Sequence, residues 1–206
     1  MKKSILALAC AAFTFCAQAQ QEVAPAAELP DNVPGMTMQS RLNWYEIDPG
    51  VRTYLILLAA NTMELSAELP DAGLNPTSEQ QFDLMQKVVD KTPLDSLTGE
   101  YRQYMEEANV LNSKIIADLK KEKPTTLKGV MEVRSRYIAE IEGLNKKYPQ
   151  AARYFNEEAQ MAISIMMLQE TDIQRVTIQA AMAGKSEKET MKTVVEHLRR
   201  VAADQQ

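Results

Sequence analysis

His197 is the only histidine of the chain, and Cys10 and Cys16 are its only cysteines. Most hydrolytic, thiol and metal chemistry draws on these two residue types, so the inventory excludes more than it offers. A di-iron bundle needs a Glu-x-x-His pair from each of two helices, which one histidine cannot supply. Covalent haem attachment needs Cys-x-x-Cys-His, and that run is absent. Ser186 and His197 fall in one helical segment, roughly 16 Å apart along its axis, too far for a local nucleophile and base. No Gly-x-Ser-x-Gly turn exists to present another serine. His197 reads as a residue on the rim of its helix.

Gly184-Lys185-Ser186 looks like the end of a phosphate-binding loop, but the position that needs the earlier glycine is Gln179. Ser186 is better read as a helix cap. Carboxylates are the remaining acid and base material: Glu64 with Glu68, Glu106-Glu107 and Glu157-Glu158. A glycosidase needs only two such groups, so a cell-wall-directed, carboxylate-dependent hydrolase is an alternative. Adjacent glutamates, however, point about 100° apart on a helix. Methionine is plentiful, and Met36-Thr37-Met38 offers thioethers that a Cu(I)-binding periplasmic protein could use. Most other methionines sit on apolar stripes, where they fill gaps in a core.

The start of the chain reads as an export signal. Lys2 and Lys3 precede an apolar run from Ser4 to Cys16, and Ala17-Gln18-Ala19 supplies the small-x-small cleavage pattern. The run is too short for the roughly 30 Å hydrocarbon core of a bilayer. Lipidation at Cys10 is disfavoured because Ala7 stands three residues before it, where leucine is expected, and because cleavage there would halve the run. Removal of residues 1–19 from the 206 leaves 187 residues without cysteine, with net charge moved from −5 to −7 by the loss of Lys2 and Lys3. No disulfide, thiol nucleophile or thiolate metal site is then possible. The expected compartment is the Gram-negative periplasm, or the medium if the protein is secreted.

Charge is uneven. Residues 20–110 hold 15 acidic and 5 basic groups, whereas residues 111–153 hold 10 basic and 5 acidic. Acidic and basic helices packed side by side would explain this. A sharper reading takes the lysines from Lys114 to Lys147 as a basic end that meets anionic envelope material. An acidic exported chain without basic patches interleaved with aromatics does not point to nucleic acid.

Elements that could position such residues are helical throughout. Residues 20–40 are rich in proline and alanine and read as a flexible tether ahead of a single domain over 41–206. Asp48 caps a first helix with Pro49 in its opening turn, running to about Glu68; its stretch from Tyr54 to Ala60 is apolar all round and demands burial on several sides. Leu42, Trp44, Tyr45 and Ile47 form a short segment packed over the bundle. Thr77 with Gln80 caps a short helix, and Thr92-Pro93 opens the next. That next helix carries the heptad seam Leu94, Leu97, Tyr101, Tyr104, Ala108, Leu111 and Ile115. Lys123-Pro124 ends it, and a second seam from Leu127 through Ile141 to Tyr148, interrupted by Arg134, returns antiparallel as a hairpin. Pro149 begins or kinks a long helix with the seam Ala159 to Ala183 and a second stripe Met161, Ile165 and Leu168. Gly184 ends it, and Ser186 with Glu189 caps a last helix carrying Met191, Val194, Val195, Leu198, Val201 and Ala202.

The expected fold class is therefore all-α: an elongated bundle of about five to six helices, with no transmembrane span after the signal. The expected function is non-catalytic binding, as an adaptor or chaperone-like module, through apolar grooves or helix pairing with another envelope protein or an anionic envelope component. The candidate binding residues are the aromatic cluster Trp44 and Tyr45, and Lys120, Lys121 and Lys123 at the basic end. No catalytic, cofactor or metal-binding residue is expected.

Overall fold

The computed structural model describes residues 43–70 and 75–205, with the side chains of Glu157, Glu158 and Met161 outside that description. The signal expected over 1–19 and the tether over 20–40 lie outside the described residues, as does Leu42. The described chain is all-helical, without strands. After a 3-10 turn at Trp44–Glu46 come α1 (Pro49–Ser66), α2 (Glu79–Lys91), α3 (Gly99–Glu122), α4 (Leu127–Ser135) and α5 (Ile138–Lys147). Then follow α6 (Pro149–Phe155), α7 (Glu157–Glu170), α8 (Ile173–Met182) and α9 (Glu187–Ala203).

α1 is the central helix, for the reason its sequence suggests. The Asp48 carboxylate accepts from the Gly50 and Val51 amides, and Pro49 sits where no intrahelical donor is needed. Val51, Leu55, Ile56, Ala60 and Met63 are then buried on several faces at once. α9 lies along one side through Val194, Val195, Leu198 and Ala202, and α2 along another. The turn at Trp44–Glu46 seats Trp44 and Ile47 in this same core and packs on α7.

α3 and its return arm form the expected antiparallel hairpin. Their cross-links run in opposite order along the two arms: Glu122 with Arg136, Asp118 with Tyr137, Lys114 with Glu140, and Glu107 with Lys147 and Tyr148. A smaller core fills the far end of this hairpin, built on Phe82, Leu111, Ile115, Ile116, Leu119, Val130 and Val133. At the junction with the larger core the Tyr104 ring stacks on Phe155 at 5.6 Å, and Phe155 meets Tyr54 edge-on at 5.9 Å.

Five boundaries differ from expectation, and each has a physical cause in the structure. Ser78, not Thr77, caps α2 and accepts from the Gln81 amide; Thr77 instead donates its amide and hydroxyl to Asn75 Oδ1. Thr92 does not open α3, because its hydroxyl donates back to the Val88 carbonyl and accepts from buried Asn61 of α1. α3 starts only at Gly99. The return arm breaks at Arg136–Tyr137 into α4 and α5, where Tyr137 turns its hydroxyl to Asp118 at 2.7 Å.

The long helix expected after Pro149 is three helices. Asn156 adopts an extended conformation, donates to the Ala152 carbonyl and caps α7 through the Ala159 amide. Asp172 enters the left-handed region at φ 56°, which ends α7 and starts α8. Within α7 the second buried stripe is carried by Ile163 and Met167, whereas Ile165 faces outward. The C-terminal signals hold: Gly184, at φ 75°, closes α8 with the Lys185 amide donating to the Ala180 carbonyl, and Ser186 with Glu189 forms the capping box of α9. Among the described residues no helix is long and apolar enough to cross a membrane.

An apolar cavity between the two cores

The two cores do not close on one another. Between them lies a cavity of about 500 Å³ bounded by all helices from α1 to α7. The arrangement follows from α3, whose buried positions fall on two faces. Tyr104, Ala108, Leu111 and Ile115 continue the seam, while Met105, Asn109, Asn112, Ile116 and Leu119 step beside it by three or four residues. A stripe that wide needs two partners. α2 covers one side and the return arm the other, and the space left between them is the cavity.

Its floor is apolar and buried. Leu84 and Val88 of α2, Leu111 and Ile115 of α3, and Val130 of α4 are all under one-tenth exposed. Tyr104 and Phe155 close one end as the stacked pair described above. Burial pushes the Tyr104 hydroxyl up to about 12, so it stays neutral and donates to Asn145 Oδ1 at 3.0 Å. Burial likewise raises the neighbouring Tyr54 above the ordinary tyrosine value. One polar atom on the floor stands out: Gln81 is buried, and its Oε1 has no hydrogen-bond partner among the described residues.

The rim is polar. Asn109 and Asn112 of α3, Asn145 of α5, Asn156, and Gln160 of α7 are half-buried or exposed. Arg134 is the one charged side chain of the lining among the described residues, and no carboxylate joins it. The described carboxylates with displaced pKa values all move down. A hydrogen bond from Lys91, with Arg199 beside it, holds Glu64 below the usual range, and bonds from Lys147 and Tyr148 do the same to Glu107. Glu64 and Glu107 are thus held as anions, the opposite of what a general acid requires.

The residues singled out from sequence fall elsewhere. Trp44 is buried in the larger core and offers no surface. Tyr45 is 71% exposed and donates its hydroxyl to Glu170 Oε2 at 2.6 Å, which raises its pKa. Lys120 pairs with Asp83 and Lys123 with Glu79, tying the end of α3 to α2. Lys121 is exposed in the last turn of α3. The structure therefore does not bring Trp44 and Tyr45 together with the lysines, and two of the three lysines pair with carboxylates of α2.

Met36 and Met38 lie outside the described residues. Met63, Met105, Met166, Met167 and Met191 are buried in the larger core, and no cluster of three or more His, Asp or Glu side chains that could hold a metal occurs among the described residues. His197 Nε2 lies 2.6 Å from the Thr171 carbonyl, which can only accept, so this nitrogen carries the proton that fastens α9 to the end of α7. Scans against protein-family models, curated proteins and solved structures find no match to this chain.

Proposed function

We propose that the protein is a non-catalytic binding protein of the cell envelope that holds an apolar guest between its helices. Its export rests on the pattern from Lys2 to Ala19. The binding role rests on one observation, the cavity of about 500 Å³ with an apolar floor and an amide rim. Pockets for small ligands span roughly 300 to 1,000 Å³ and combine apolar walls with a few placed polar groups. An apolar guest would displace water from these walls and make contacts that the open space lacks.

The test uses an apolar dye, anilinonaphthalene sulfonate, and a variant that fills the space. Ala108 lines the cavity on α3 and is only half-buried, so Ala108→Phe projects a ring into it. The folded wild type is expected to bind the dye saturably at one site. Ala108→Phe should retain its circular dichroism and lose at least tenfold in dye affinity. Equal dye binding by wild type and a folded Ala108→Phe would overturn the reading.

A further inference from the structure

We infer that two copies of the protein pair through the outer face of α3, running antiparallel about a two-fold axis at Val110. The inference does not depend on the cavity, which lies on the opposite side of that helix. At about 100° per residue, Gln103, Glu106, Val110, Lys114 and Ala117 share one stripe roughly 80° wide. That stripe is turned away from Tyr104, Ala108, Ile115 and Leu119, which face the cavity.

The stripe protrudes. Val110 is 60% exposed and stands between two shallow grooves. One groove runs beside α2 past Val89 and Leu94, and the other beside α5 past Gly143 and Leu144. A helix approaching from outside therefore reaches Val110 before it meets α2 or α5. Glu106, Val110 and Lys114 form a ridge with a spacing of four residues, and ridges of that spacing interlock when two helices cross at about −50°.

Charge selects a second copy as the occupant. Glu106 and Lys114 stand one turn to either side of Val110 with opposite signs, and both are exposed. Reversing the helix exchanges them, so an antiparallel copy brings its lysine beside Glu106 and its glutamate beside Lys114, each contact occurring twice. A parallel copy would oppose like charges at both places, which disfavours it. Size follows the same symmetry: Gln103, seven residues before Val110, meets the small Ala117 seven residues after it, and Glu107 meets Ser113. Within one copy Glu106 pairs with Arg102, and Lys114 lies 3.7 Å from Glu140. Both pairs are exposed, so they hold these side chains weakly and leave them able to reach across.

Sedimentation equilibrium of protein expressed from the full-length reading frame, from micromolar to submillimolar concentration, tests the pairing. A reversible monomer–dimer equilibrium is expected. Val110→Glu, at an exposed position, should keep its circular dichroism and weaken the dimer at least tenfold. Glu106→Lys alone and Lys114→Glu alone should each weaken it, because each opposes like charges, and the two together should restore it. A short bis-maleimide should join two copies of Val110→Cys but not two copies of Ala117→Cys. Antiparallel chains hold the latter pair about 20 Å apart at ~1.5 Å per residue. Cys10→Ser and Cys16→Ser accompany both cysteine variants, so that no other thiol reacts. A monomer at every concentration, a dimer indifferent to Val110→Glu, no restoration by the double charge swap, or equal cross-linking of the two cysteine variants would overturn the inference.

Discussion

The half of the molecule built on α1 and α9 is filled, whereas the half built on α2 to α5 is hollow. In the first, Leu55, Ile56 and Leu198 are fully enclosed, and α9 meets α1 through apolar side chains along its length. In the second, the arm made of α4 and α5 meets α3 through the smaller core at its far end and otherwise through ion pairs and hydrogen bonds on its outer side. Arg136–Glu122, Lys114–Glu140 and Lys147–Glu107 are all substantially exposed, and pairs of that kind contribute little to stability. α4 and α5 are also short, at 9 and 10 residues. The same chain thus combines a filled frame with a wall of short helices, and short elements with few buried contacts are the ones expected to open first.

The largest expected effect compares one leucine from each half. Leu198→Ala opens a new void in the filled core and should cost about 3 to 5 kcal/mol in urea unfolding. Leu111→Ala enlarges a space already present and should cost nearer 2 kcal/mol. Equal losses would mean that the halves are packed alike. The glycines sharpen the contrast. A methyl group on Gly50, at the start of α1, would collide with the Ser96 carbonyl oxygen, so Gly50→Ala should cost about 3 kcal/mol. Gly143, on the outer face of α5, has nothing nearby, and Gly143→Ala should add about 0.5 to 1 kcal/mol by favouring the helix. Thermal unfolding of both variants checks the opposite signs.

The smallest effect is electrostatic. Glu107 and Glu122 of the hairpin are held below the ordinary value of 4.5, by hydrogen bonds from Lys147 and Arg136 respectively. Groups with depressed folded pKa values stabilise above their unfolded value and lose that contribution as pH falls through the folded one. Hydrogen exchange in α4 and α5 should therefore quicken as pH drops below about 4.5, after correction for intrinsic rates, before α1 and α9 respond. Glu107→Gln with Glu122→Gln should flatten that response. Glu64, bonded to Lys91 and Arg199, gives the filled half its own acid sensitivity, and Glu64→Gln should remove part of it without changing exchange in α5.

Much of the frame was legible in the sequence because its signals are local. Asp48-Pro49, Lys123-Pro124, Gly184 and the Ser186–Glu189 box each act within a few residues and mark helix ends where they are found. The misplaced boundaries depend on distant partners. Thr92 closes α2 partly because Asn61 lies against it, and Tyr137 breaks the return arm against Asp118, neither of which is adjacent in sequence. Asn156 is different: its side chain caps locally, but helical periodicity continues through it and conceals the break. Trp44 looks like a binding aromatic because composition cannot tell a core tryptophan from an exposed one. The cavity was the least legible feature. The second face of α3, with Asn109 and Asn112 among apolar positions, hints at a wide interface, but a void is the space left by several helices and has no residue of its own.

Hydrogen exchange followed by mass spectrometry, with and without anilinonaphthalene sulfonate, tests most directly whether the hollow half is the part that admits a guest. The expected result is fast exchange in α4 and α5 of the free protein, strong slowing there and in the middle of α3 with the dye, and no change in α1 or α9. Equal protection of both halves before ligand, or slowing centred on α1 and α9 after it, would contradict that division of the molecule.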